Sequence, residues 1–89
     1  MAEEMFDLNA SREFMLEVIS STNGDRVIRT NVNMTMEKLL VLLQDFSSRS
    51  TVIVWNGDDI VSVASYGFIE CSGVLGTYLR RLEEEKVQY

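Results

Sequence analysis

The stretch "TVIVWNGDDIVSVASYGF", residues 51–68, decides the fold. Valine and isoleucine recur on both sides of Asn56-Gly57, a pair that accepts a tight reversal, so the segment predicts two antiparallel strands. A four-residue loop, 56–59, sets Val54 opposite Val61 and Val52 opposite Val63, making one compact valine face. Ile53, Trp55 and Ile60 then share the reverse face. That surplus is the problem the rest of the chain must solve, because a sheet face that meets water should be polar.

Upstream, "FMLEVISSTNGDRVIRTNV", residues 14–32, predicts a similar hairpin. Phe14, Leu16 and Val18 alternate before the turn, and Ile28, Thr30 and Val32 continue the period after it. A three-residue loop, 23–25, pairs Leu16 with Val32 and Val18 with Thr30. A two-residue loop would mix Leu16 with Asn31 on one face, which burial rejects. The reverse face of this hairpin carries Glu17, Arg29 and Asn31, but also Met15, Ile19 and Val27.

A helix follows each hairpin. In "NMTMEKLLVLLQDF", Met36, Leu39, Leu40, Leu43 and Phe46 form a stripe at helical spacing, with Asn33 or Thr35 as its cap. The stripe stops in the polar "SSRS", residues 47–50. The last helix begins near Ser72, its expected cap, and presents Val74, Leu75, Tyr78, Leu79 and Leu82. Residues 1–12 suit a short helix whose Met5, Phe6 and Leu8 could dock on the body. The predicted order is ββαββα: one α+β domain spanning residues 1–89, an open-faced sandwich with a four-stranded, mainly antiparallel sheet and two main helices on one face.

Composition narrows the function. At 89 residues the core is small, and small domains often add disulfides, metals or association. Cys71 is the only cysteine and there is no histidine, which leaves association. An unpaired cysteine and an acidic rather than basic N-terminus indicate a reducing, cytoplasmic setting. The net charge of −6 opposes direct nucleic-acid or anionic-membrane binding. No run approaches the length of a spanning helix.

The same residues limit catalysis. Without histidine, Ser-His and Cys-His systems of the usual kind are excluded, and no P-loop, GxGxxG, CxxC or HExxH occurs. Asp58 and Asp59 are adjacent carboxylates, but turns favour Asp for local hydrogen bonding. Cys71 reads as a small buried hydrophobe. The Gly/Ser-rich "SYGFIECSGVLG", residues 65–76, offers helix-start amides for an anion. Ser72 and Gly73, helped by Arg26, Arg29, Arg80 or Arg81, would suit a phosphate-bearing or nucleotide ligand.

Residues 35–70, "TMEKLLVLLQDFSSRSTVIVWNGDDIVSVASYGFIE", resemble the central helix, hairpin and serine segment of HPr-like phosphocarrier proteins, with Ser65 near that family's regulatory serine. The family's phosphorylated histidine has no counterpart, and neither has its strand before the last helix. The resemblance implies an open-faced sandwich and carries no activity across.

These readings converge on a non-enzymatic acidic interaction module without a cofactor. It would be a homodimer or higher homo-oligomer, acting as an inhibitor or adaptor of another protein. Ile53, Trp55, Ile60, Ile19 and Val27 would form the contact, with Asp58 and Asp59 at its rim. The alternative is the small-molecule binder built on Arg26, Arg29, Ser72, Gly73 and Arg80. The apolar face could also be covered by the chain's own residues 5–8.

Overall fold

A computed structural model describes residues 10–20 and 27–87, the side chains of residues 86 and 87 excepted. Residues 1–9 of the predicted N-terminal helix, the loop at 23–25 and Arg26 lie outside the described residues, and Arg12, the predicted end of that helix, belongs instead to the first strand. The elements are β1 (Arg12–Ser20), β2 (Val27–Met34), α1 (Met36–Ser47), β3 (Ser50–Asn56), β4 (Asp59–Ser65), β5 (Phe68–Cys71) and α2 (Gly73–Val87). They form one five-stranded antiparallel sheet in the order β2-β1-β3-β4-β5. The α+β class and the two helices match the sequence reading, while the order ββαββα gains a strand and becomes ββαβββα.

The added strand depends on a turn with little sequence signature. Ser65 pairs with Phe68 across Tyr66-Gly67, and both central residues have positive φ, 53° and 80°. This is the backbone of a type I′ hairpin, which Asn-Gly favours and tyrosine does not. The Gly67 N–H also donates to the Ser47 carbonyl at 3.3 Å, so the turn satisfies an acceptor at the end of α1. Tyr66 is 81% exposed, and its left-handed backbone is strained for an L-residue. Tyr66→Asn is therefore expected to stabilise by about 1 kcal/mol. Thermal unfolding should show that as a rise of about 4–8 °C.

Both helices pack on one sheet face and close a single core. Phe14, Leu16, Val52, Val54, Val61 and Ala64 meet Met36, Leu39, Leu43, Leu75 and Tyr78, all at most 5% exposed. Thr35 is the cap of α1, accepting the Lys38 N–H at 3.2 Å. The buried stripe of α1 ends on Ser47 and leaves Phe46 exposed, a quarter-turn from the expected line. The helices lie over β3–β5; on the same face of β2, Val32 and Met34 pack against the core, while Ile28 at the far end is 54% exposed. No helix among the described residues is long and apolar enough to cross a membrane.

Both hairpin registers differ from expectation. In the first, Leu16 pairs with Thr30 and Val18 with Ile28, two residues from the predicted partners. The slide preserves every residue's face, because side chains alternate with period two. In the second, the loop is the two-residue Gly57-Asp58, since Asn56 pairs with Asp59 and Trp55 with Ile60. A bulge beyond Trp55 then pairs Val54 with Ser62 and Val52 with Ala64. Val61 and Ser62 are both buried, and Val63 moves from the expected valine face to the outer one.

Ser72 supports this bulge. Its hydroxyl donates to the Ile60 carbonyl at 3.2 Å and its N–H to the Val61 carbonyl at 2.9 Å. The side chain expected to cap α2 thus bonds the bulged strand where the β3–β4 register shifts, and its N–H continues the β4–β5 pairing by one residue. Gly73 follows with φ +58°, and a Cβ there would lie 3.0 Å from Val61 Cγ1.

Candidate functional site: the outer face of the sheet

The face opposite the helices is laid out by the strand registers. Its central row runs Arg29, Glu17, Ile53, Val63, Glu70 from β2 to β5. A second row runs Asn31, Met15, Trp55, Ile60. A third begins with Val27, Ile19 and Thr51 and ends with the Ser65–Phe68 pair. The Thr51 and Ser65 hydroxyls join it at 3.0 Å. Large apolar side chains thus occupy every strand of this face. Ile60, Val63, Val27 and Phe68 are exposed, Phe68 by 80%.

The predicted contact residues Ile53, Trp55, Ile60, Ile19 and Val27 are all brought together here. Asp58 and Asp59 stand exposed at the β3–β4 tip, at the end of the face beyond Trp55. Sequence reasoning missed Val63, hidden by the bulge, and Phe68, hidden by the strand it did not recognise. The alternation of apolar Ile69 and Cys71 about Glu70 was the available signal for β5.

Polar groups within the face serve the tryptophan. The Trp55 Nε1–H donates to Glu17 Oε1 at 2.7 Å, and Arg29 Nε donates to Glu17 Oε2 at 2.9 Å. Glu17 is 13% exposed at its side chain and Arg29 65%. The ring N–H is the only polar group of an indole, so the rest of Trp55 is hydrocarbon surface. The two hydrogen bonds, from Trp55 first and Arg29 second, hold the Glu17 carboxyl below its usual pKa.

This shift has a definite sign. A carboxyl whose pKa is lower folded than unfolded stabilises the fold fully above the unfolded pKa, and the contribution fades as pH falls through the folded one. Glu17→Gln should therefore be less stable than the unchanged chain at neutral pH. The gap in urea midpoint is expected to close as pH falls through the carboxylate range. A gap that stays constant with pH would contradict the arrangement.

The residues of the anion-binding alternative are not assembled. Arg29 is on edge strand β2, while Ser72 and Gly73 follow β5 at the opposite edge. Four strand spacings separate those edges, about 19 Å. Ser72 directs both its hydroxyl and its N–H to its own chain, and Arg80 is exposed on α2. Cys71 is half-buried, its thiol 3.7 Å from Ser62 Oγ. Burial raises its pKa, which disfavours the nucleophilic thiolate.

Ser65, the serine of the phosphocarrier resemblance, hydrogen-bonds to Thr51 within the sheet. A strand does precede the last helix, contrary to the sequence reading, and it is the direct hairpin partner of β4. Compared with protein-family profiles, curated proteins and solved structures, the chain gives no significant match to any of them.

Proposed function

We propose that the chain is a non-enzymatic protein–protein interaction module of the cytoplasm that associates with itself through the outer face of its sheet. In that form it acts as an inhibitor or adaptor of another protein. Asp58 and Asp59 stand at the rim, where charge tunes the choice of partner more than its affinity.

One observation carries this reading: the outer face presents a large apolar side chain on each of its five strands, and the middle strand carries a tryptophan whose N–H is already satisfied by Glu17. Fully burying one large apolar side chain is worth about 1.5–3 kcal/mol. A contiguous patch of this kind favours association, and tryptophan is enriched where such contacts are strongest. Twofold pairing is the commonest way for one chain to cover such a patch.

Sedimentation equilibrium over a range of protein concentrations tests the proposal. A mass near twice 10.2 kDa at high micromolar concentration is expected. A single-chain mass throughout that range would overturn it.

A further inference from the structure

We infer that the second copy lies face to face on the first about a twofold axis running along β3, so that Arg29 of each protomer meets Glu70 of the other. The inference rests on the proposed self-association and adds its arrangement. β3 is the middle strand of five. An axis parallel to it in the interface keeps β3 on itself, exchanges β1 with β4, and exchanges β2 with β5. Position along the strands is unchanged.

The three rows of the face can then be read against themselves. In the central row Arg29 falls on Glu70 of the copy, Ile53 on its own equivalent, and Val63 beside Glu17. In the second row Trp55 meets Trp55 and Met15 meets Ile60. In the third, Val27 meets Phe68, so the two exposed apolar ends cover each other. The alternative axis, across the strands through the central row, sets Arg29 on Arg29, Glu17 on Glu17 and Glu70 on Glu70. Like charges in contact make that arrangement unfavourable.

The electrostatics within one protomer leave Arg29 able to bridge. Its Nε is bonded to Glu17, and the other four N–H donors of a guanidinium are on the terminal nitrogens. Glu70 is exposed, and no ion pair holds it among the described residues. Tilting the axis about 15° from β3 gives the about −30° crossing usual for aligned sheets and offsets residues two strands from the axis by about 5 Å. Arginine and glutamate side chains can span that offset. In projection the face measures at most about 24 Å by 24 Å, which places the pair toward the small end of specific interfaces.

Charge reversal and recombination test the arrangement. Glu70→Arg alone sets arginine against Arg29 at both ends, and Arg29→Glu alone sets glutamate against Glu70. Each variant is expected to self-associate at least about tenfold more weakly than the unchanged chain. An equimolar mixture of the two restores both pairs and should form heterodimers with near-original affinity. Circular dichroism checks that each variant folds.

Cross-linking provides a test without charge reversal. In a Cys71→Ser background, Ile53→Cys lies on the axis, and a short bismaleimide should join it into covalent dimers. Arg29→Cys lies about 19 Å from its copy and should not be joined. If the unchanged chain is a dimer but the mixture stays monomeric and position 29 cross-links as well as position 53, this axis is wrong and the face still stands. If the unchanged chain is a monomer, or dimerises with Trp55 still open to solvent, the proposed function itself fails.

Discussion

A Trp55→Lys variant is expected to remain monomeric at concentrations where the unchanged chain is a dimer. The substitution is chosen for its effect on the pair rather than on the fold. In the single protomer the new ammonium is beside Glu17, which already accepts hydrogen bonds from Trp55 and Arg29. The charge is therefore paired, and a half-buried position on the outer face lets its stem lie along the sheet with the head in water. In the pair the same ammonium must leave water at the centre of the interface and face its copy. Tryptophan truncated at a central contact commonly costs 2 kcal/mol or more. The added like-charge contact increases that cost, so the dissociation constant is expected to rise by about 100-fold or more. Sedimentation equilibrium measures the change. An unchanged constant with an unchanged far-ultraviolet spectrum would show that Trp55 lies outside the contact.

Leu43→Ala is the prediction with the largest effect on the fold itself. Leu43 is fully buried on α1, in the cluster that joins that helix to the sheet. Removing its branched end takes away transfer free energy and leaves a cavity that close-packed neighbours only partly fill. A loss of about 2–5 kcal/mol is expected. A domain of this size has a total stability of about 4–13 kcal/mol, so the variant should unfold far earlier in urea. Val41→Ala on the same helix is the control. Val41 is 63% exposed, and its loss should change stability by under about 0.5 kcal/mol. Self-association stabilises the folded state by mass action. Both comparisons are therefore best made in the Trp55→Lys background, where the protomer unfolds alone.

Much of this was legible in residues. Alternation in 14–32 and 51–63 specified two hairpins, and the stripe from Met36 to Leu43 specified a helix and its buried side. The contact residues Ile53 and Trp55 were legible for the same reason, as apolar side chains on the wrong parity for the core. What parity cannot reveal is a shift by two. Leu16 opposite Thr30 or Val32 buries the same faces, so only the packed sheet selects between them.

The fifth strand escaped for a different reason. Tyr66-Gly67 is a poor advertisement for a turn that needs positive φ twice, and it is held by a hydrogen bond from Gly67 to the end of α1, 20 residues away in sequence. The bulge at Val61 likewise depends on a remote partner. Ser72 accepts the role of bonding the carbonyls of Ile60 and Val61, which it reaches only after β5 has folded back along β4.

The sequence by itself determined the α+β class, the two helices, the inward and outward parity of most strand residues, and the excess of apolar surface. These follow from short-range periodicity, which each segment carries within itself. Tertiary structure alone decided the strand registers, the bulge that turned Val63 outward, the fifth strand that brought Phe68 and Glu70 to the face, and the pairing of Trp55 with Glu17. Those features are contacts between segments far apart in the chain, and burial energy of the assembled layers selects them where local preference is indifferent.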